Sequence, residues 1–323
     1  MSMKSSKGRV GMICLATHQG LGYLSKAFYD NGLIDYVYIH PHSTRKNHRD
    51  WYPRESVVSS VDELLEKSDV IFGIETFFHW NIVPQAREQG KKTIMMPMYE
   101  CTGVVPYQPD LILSPSLLDK DYYPDSTLVT VPVDVKPRIR KRAAIFVHNA
   151  GNGGLGGRNG TKELLEALQY VKSPIKLILR SQVPLKIPND PRIDYREGTF
   201  EDIWSEGDVF IFPEKFNGLS LPIQEAYASG MLVMTTDRHP NNKWLPTEPL
   251  IPVDKYVDER LAVPLKSAKL SPLDIAKTID SWYDKDITKF SESGISWGQE
   301  NSWKKLKETY EKHLSPLSVE RGS

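Results

Sequence analysis

Residues Ala143–Leu168 read AAIFVHNAGNGGLGGRNGTKELLEAL. The apolar run Ala143–His148 predicts a strand, and the leucine spacing over Thr161–Val171 predicts a helix. Six of the fourteen residues His148–Thr161 joining them are glycine. Glycine lets a backbone approach a ligand closely, and a strand–turn–helix junction offers unpaired N–H groups to an anion. Arg158 and Lys162 can add charge-assisted contacts. The turn is therefore read as a phosphate site, with Gly153, Gly154, Arg158 and Lys162 as its candidates.

The same rhythm runs in both directions. Strands are expected at Val10–Ala16, Tyr36–Ile39, Val70–Ile74, Thr93–Met96, Leu111–Leu113 and Leu128–Val131. Helices are expected at Leu21–Asn31, Val61–Lys67 and Trp80–Gln89. After Ala143 come strands at Ile175–Leu179, Val209–Phe212 and Leu232–Thr235, and helices at Thr161–Val171, Ile203–Glu206, Leu221–Ser229 (closed by Gly230), Pro272–Tyr283 and Ser296–His313. Alternating β and α segments of this kind mean parallel sheets covered on both faces. Pro132–Arg142 (PVDVKPRIRKR) interrupts the rhythm and reads as a linker. The expected class is α/β, with two Rossmann-like doubly wound domains facing across a cleft: an N-terminal domain over 1–135, a linker over 136–142, and a second domain over 143–297. The ligand is expected at the carboxyl ends of the strands.

Composition narrows the function classes. The 323 residues carry 41 basic and 41 acidic side chains, so a globally basic nucleic-acid binder is disfavoured. Two cysteines, Cys14 and Cys101, cannot build a disulfide scaffold or a thiolate zinc site, and both read as buried thiols. No run approaches 18 apolar residues, and the N-terminal apolar stretch is too short for a signal peptide; the reading is cytosolic.

Gly151, Gly153 and Gly156 satisfy G-x-G-x-x-G, which raises a dinucleotide-dependent oxidoreductase. That fold needs an acid about 20 residues on, at the end of the next strand. Here Arg180, Ser181 and Gln182 follow Leu179. A second segment, Phe212–Gly230, reads FPEKFNGLSLPIQEAYASG. A strand ends, a glycine-containing loop follows, and Pro222 marks a helix start. Glu225 lies in that helix, where a carboxylate can take two ribose hydroxyls or simply favour the helix dipole.

This segment resembles the nucleotide-sugar signature of GT-B fold glycosyltransferases, especially the family-4-like group (glycosyl transferases group 1). Gly218, Leu219, Ser220, Leu221, Pro222 and Glu225 match it, and Asn217 stands where the first of two glutamates is usual. The glycine turn is similar to that group's diphosphate loop; Arg158 fits, and Asn159 replaces a lysine for which Lys162 can compensate. Thr17–Gly22 (THQGLG) resembles the group's N-terminal glycine loop. The resemblance implies transfer of a hexose or pentose from a nucleoside-diphosphate sugar, UDP-sugar above all, to an acceptor hydroxyl. It implies no metal and no further cofactor. Glu225 would hold the ribose, Asn217, Gly218, Leu219 and Ser220 the sugar or phosphate, and Gly154–Arg158 the departing diphosphate. It also implies a final helix, about 298–313, completing the N-terminal domain. Asp119–Asp121 forms a D-x-D, the pattern of a metal-dependent fold, but lies outside this segment. The two asparagines also motivate a non-catalytic nucleotide-sugar-binding module.

In the N-terminal half the candidates are Glu75, His79, Glu100 and His18; Glu75, Glu100 and His18 follow strands. Glu75, Glu100 and His18 are the candidate general bases. His40–Arg54 (HPHSTRKNHRDWYPR) places Arg45, Lys46, Arg49 and Trp51 together, a pattern able to track phosphates and stack a base. Its three histidines lack a nearby acidic cluster for a metal. Compact phage DNA glycosyltransferases acting on hydroxymethylated pyrimidines share the fold, so DNA is an alternative acceptor. The sequence leaves the acceptor and the oligomeric state open.

Overall fold

The computed structural model describes residues 8–41 and 46–316. They fall into two units, one reaching Val131 and resuming at Trp303, the other spanning Pro132–Ser302. The first unit is built on β1 (Val10–Cys14), β2 (Tyr36–Ile39), β3 (Val70–Glu75), β4 (Lys92–Pro97), β5 (Leu111–Ser114) and β6 (Thr127–Leu128). All pair in parallel, in the order β2-β1-β3-β4-β5-β6. Helices α1 (Gly20–Asp30), α2 (Val61–Lys67), α3 (Ile82–Glu88), α4 (Tyr99–Thr102) and α5 (Leu117–Tyr122) connect them. Because successive strand residues face opposite ways, Ile13, Ile71 and Met95 pack with Leu64, Leu65, Ile82 and Val83 on one face. Elsewhere in the unit, Phe28 of α1 meets Phe72 at 5.2 Å and Trp303 and Tyr310 of the C-terminal helix Trp303–His313 at 5.1 Å each. Tyr310 also donates to the Thr130 carbonyl at 2.9 Å.

The second unit holds β7 (Ile145–Gly151), β8 (Lys176–Ser181), β9 (Ile193–Glu197), β10 (Val209–Phe212) and β11 (Leu232–Thr235), again all parallel, in the order β11-β10-β7-β8-β9. A separate antiparallel hairpin pairs β12 (Lys255–Arg260) with β13 (Pro264–Lys269). Helix α6 (Thr161–Ala167) follows β7, α7 (Leu221–Ala228) follows the loop after β10, and α8 (Pro272–Trp282) and α9 (Thr288–Glu300) close the unit. Phe146, Leu177, Val209 and Ile211 form one core with Leu164 and Ile275; Val147, Ile178, Phe210 and Phe212 form the other with Ile223, Tyr227 and Trp204. The α/β class with parallel sheets is as the alternation predicts.

Several elements differ from the sequence reading. Ile203–Glu206 is not helical; Asp202 has φ +46°, and the carbonyls a helix would use are taken by arginines. Arg180 donates to Ile203 O at 2.7 Å, and Arg140 to Trp204 O. Ser296–His313 is two helices: the first ends at Asn301, whose backbone leaves helical geometry (φ −107°, ψ 25°) and whose Nδ2 donates to the Trp297 carbonyl at 2.8 Å, and the second begins at Trp303. The strand expected at Leu128–Val131 is only Thr127–Leu128. Cys14 is buried, with its thiol pushed up to about 12 by burial, but Cys101 is exposed. Among the described residues no helix is long and apolar enough to cross a membrane.

Pro132–Arg142 is not a free spacer. Arg140 is 2% exposed and donates to the carbonyls of Gly207 (2.7 Å), Arg138 (3.1 Å), Ser229 and Trp204. Burial lowers its pKa to about 10, so it stays charged at neutral pH. Arg140→Leu leaves these carbonyls unpaired and is expected to destabilise the chain by about 3 kcal/mol. Lysine, a point charge without the planar fork, is expected to recover only part of that. Denaturant midpoints for both variants check this.

Candidate donor site at the strand-order reversal of the C-terminal sheet

In an open parallel sheet the crevice for a ligand forms where the strand order reverses, outside the carboxyl ends. In β11-β10-β7-β8-β9 that point lies between β7 and β10. The two segments singled out by the sequence leave these two strands: the glycine turn from β7, and residues 213–220 from β10.

The turn is fastened at both ends. His148 is buried between the Ile211 carbonyl (2.8 Å from Nδ1) and the Thr161 hydroxyl (2.9 Å from Nε2). Burial lowers its pKa to about 4, so it is neutral there: Nδ1–H donates and Nε2 accepts. Asn159 does not imitate a lysine; its Nδ2 donates to the carbonyls of Asn149 (3.3 Å) and Ala150 (3.1 Å). Gly153 precedes a single 3-10 turn, Gly154–Gly156. Gly160, at φ +72°, runs so close to the second loop that a Cβ there would lie 2.1 Å from the Pro213 carbonyl oxygen. Arg158 lies over the Phe216 ring at 5.9 Å, and its carbonyl accepts from Lys215 N at 2.8 Å. Lys162 is exposed, 3.8 Å from Glu166.

The second loop is held by a buried network that the sequence reading missed. Glu214 is fully buried; one oxygen accepts from Arg238 and from Asn241 Nδ2 (2.8 Å), the other from the Ser220 hydroxyl (2.8 Å). Arg238 in turn donates twice to the Asn217 carbonyl, at 3.0 Å each. Ser220 is thereby kept at φ +45°. The Asn217 side chain turns back on its own loop, with Oδ1 accepting from Ser220 N at 3.3 Å. Leu219 is buried, and its carbonyl accepts from Gln224 at 2.8 Å. Gly218 sits between Asn217 and Leu219 in this braced loop.

Glu225 is on α7, partly buried, with Trp204 Nε1 donating to it at 3.2 Å. Burial raises its pKa to about 7, the largest shift in this loop–helix segment. Perturbed carboxyls concentrate at functional sites, and this one sits on the helix that follows the reversal. Glycine turn, braced loop and raised carboxyl together can surround an anionic ligand with backbone donors and take a diol on one carboxylate.

The first unit has its own reversal, between β1 and β3. His18 follows β1, and Glu75 ends β3 at φ +66° with its carbonyl accepting from Thr102 at 2.7 Å. Glu100 lies one strand further, 4% exposed in α4. His79 is 3.1 Å from His40. His18 hydrogen-bonds the Tyr23 hydroxyl at 2.7 Å and meets the His48 and Trp51 rings at 4.4 and 5.2 Å. Trp51 stacks with both Tyr23 and His48. Lys46 and Arg49 are exposed, and Arg45 lies outside the described residues. Asp119 of the D-x-D is buried, taking Tyr99 N (2.7 Å) on one oxygen and the Ser116 hydroxyl on the other, which explains it as a structural cap.

No protein-family model matches the chain, and no curated protein matches it by sequence. Solved structures do match in three dimensions. The Anabaena HepE protein, solved with UDP and glucose, is 9% identical with a TM-score of 0.69, over 96% of this chain and 100% of that one. A glycosyltransferase of Rickettsia africae is 13% identical, TM-score 0.62, over 96% and 99%. Sucrose-phosphate synthase of Thermosynechococcus elongatus is 12% identical, TM-score 0.59, over 95% and 97%. Two parallel-sheet units in this order, matched over nearly the full length of these structures, are the GT-B fold, and that is the fold of this chain.

Proposed function

We propose that the chain is a glycosyltransferase that moves a sugar from a nucleoside-diphosphate sugar to an acceptor hydroxyl without a metal ion. The observation that carries this reading is the convergence of the glycine turn, the Glu214-braced loop and Glu225 on the β7/β10 reversal. In this reading Glu225 accepts from the two ribose hydroxyls, which points to a nucleotide ligand. Backbone N–H groups of the turn and the Arg158 guanidinium receive the diphosphate, whose negative charge grows as the bond to the sugar breaks. Donors already in place for that charge need no reorganisation at the moment of reaction, so they stabilise the transition state more than the bound donor. UDP-sugar is the favoured donor, as UDP and UDP-glucose are bound in the HepE structures. The acceptor belongs to the first unit, with His18 and Glu75 at its reversal as candidate bases. The ring column Tyr23–Trp51–His48 beside exposed Lys46 and Arg49 makes a nucleic-acid acceptor the second reading.

Release of nucleoside diphosphate from sugar nucleotides, measured with a chelator present, tests the assignment. Turnover unaffected by the chelator is expected; loss of turnover with intact donor binding would remove the metal-free mechanism. Arg158→Ala is expected to lower kcat at least tenfold while donor KM changes less than threefold, about 1.4 kcal/mol of transition-state stabilisation. A change in KM alone would place Arg158 in ground-state binding.

A further inference from the structure

β9 is the outermost strand on one side of the second unit's sheet, in the order β11-β10-β7-β8-β9. Its pairing with β8 is parallel and unbroken from Ile193 to Glu197. Leu177 N donates to the Arg192 carbonyl at 2.8 Å, and Gly198 N to the Ser181 carbonyl at 2.9 Å. Backbone groups alternate sides along a strand, so Arg192, Asp194, Arg196 and Gly198 turn theirs toward β8. Ile193, Tyr195 and Glu197 turn theirs outward. Ile193 N is taken by the Asp190 carbonyl at 3.0 Å. Among the described residues no strand pairs with the other side of β9, which leaves Tyr195 N, Glu197 N and the carbonyls of Ile193 and Tyr195 along an open edge.

An open edge is a template for another strand, and natural edges are kept short or charged so that they refuse most partners. This edge is both. Asp194 and Arg196 share one face, 2.8 Å apart; Arg196 also pairs with Glu206, and Lys176 lies 3.8 Å from Asp194. The charges decide which strand fits. Two copies of β9 related by a two-fold axis run antiparallel, the symmetry of an isologous dimer. Their outward residues then oppose each other, which centres the axis on Asp194, Tyr195 or Arg196. An axis at Asp194 sets that carboxylate against its own copy, and an axis at Arg196 does the same with the guanidinium; like charges directly opposite are destabilising. An axis at Tyr195 places Asp194 opposite the partner's Arg196, and Arg196 opposite the partner's Asp194. In that register these are the non-hydrogen-bonded pairs, where side chains approach most closely. Tyr195 N donates to the partner's Tyr195 carbonyl and Glu197 N to the partner's Ile193 carbonyl, each reciprocated. Both open donors of each chain are then satisfied, and Ile193 N, already bonded, is not needed.

We infer that β9 is the contact edge of a two-fold dimer, in which antiparallel β9 strands centred on Tyr195 join the sheets of two copies of this chain. The inference does not depend on the donor-site reading.

Sedimentation equilibrium on the full chain tests it. The wild type is expected at twice the chain mass at micromolar concentration and to dissociate on dilution, because the contact is a strand edge rather than a broad apolar surface. Asp194→Arg sets guanidiniums against each other and Arg196→Asp sets carboxylates against each other; each is expected to weaken the dimer at least about tenfold. Mixed in equal amounts, the two variants are expected to form a mixed dimer, since each supplies the charge the other lacks. Mixing cannot repair an ion pair within one chain, so this recovery separates contact across the axis from a structural role of Asp194 and Arg196. Glu197→Pro removes an outward donor at an exposed edge position outside these ion pairs and is expected to give a monomer that still melts cooperatively. Should a charge variant fail to fold, Glu197→Pro decides alone. A monomeric wild type, a dimer indifferent to Glu197→Pro, or folded charge variants that stay apart when mixed would each overturn the inference.

Discussion

Replacing Glu225 by glutamine is expected to make the ligand-free protein more stable at pH 8 and to weaken nucleoside-diphosphate binding by more than about a hundredfold. Two hydrogen bonds from ribose hydroxyls to a carboxylate are charge-assisted and contribute about 1.5–3 kcal/mol each, and 3 kcal/mol is over two decades in affinity. The stability effect has the opposite sign for a clear reason. Burial raises the Glu225 pKa to about 7, so the folded state holds its proton more tightly than the unfolded chain does. That preference favours the fold below the ordinary glutamate pKa and is lost as pH rises through 7. Over the whole window the effect is at most about 3 kcal/mol. At pH 8 the wild type therefore carries a buried charge that glutamine does not. Donor affinity should fall with acidification below about pH 7, and Glu225→Gln should lack this part of the profile. Thermal melts and titrations at pH 6 and 8 check both signs.

Gly160→Ala is expected to cost more than about 3 kcal/mol of stability and to weaken donor binding with it. A left-handed backbone costs a non-glycine residue about 1–2 kcal/mol. In addition the new methyl group would lie 2.1 Å from the Pro213 oxygen, a backbone atom that cannot swing away. Relief requires the glycine turn and the loop after β10 to separate, and these are the two sides of the proposed donor site. Gly156→Ala is the control: it lies in the same turn, has nothing within 4 Å, and should stay within about 0.5 kcal/mol of wild type. Equal tolerance of both substitutions would mean that the close approach does not shape the site.

The parts of the fold that could be read from the sequence are those governed by local pattern. Val70–Glu75 and Val209–Phe212 are nearly continuous apolar runs because parallel strands are covered on both faces. The glycine turn and Pro222 mark their junctions by backbone chemistry alone. What escaped depends on distant partners. β9 (IDYRE) and the β12–β13 hairpin are half-exposed and polar, so they lack the apolar signature of the inner strands. Ile203–Glu206 loses its helix to arginines 23 and 64 residues away in sequence. At the β7/β10 reversal, Glu214 reads as an ordinary loop acid until Arg238 and Asn241, 24 and 27 residues on, close around it. The Asn217 amide oxygen accepts from Ser220 N of its own loop, a contact that its position in the segment does not announce.

A nucleoside diphosphate bound at the β7/β10 reversal would stabilise the folded chain. A thermal-shift screen against UDP, GDP, ADP, their common sugar nucleotides, NAD and NADP, with and without magnesium, tests it most directly. A ligand at a hundred times its dissociation constant adds about 2.7 kcal/mol to stability. The expected result is stabilisation by one nucleoside diphosphate and its sugar nucleotide without magnesium, lost in Glu225→Ala. Stabilisation by NAD or NADP alone would contradict the account and return the glycine turn to dinucleotide binding.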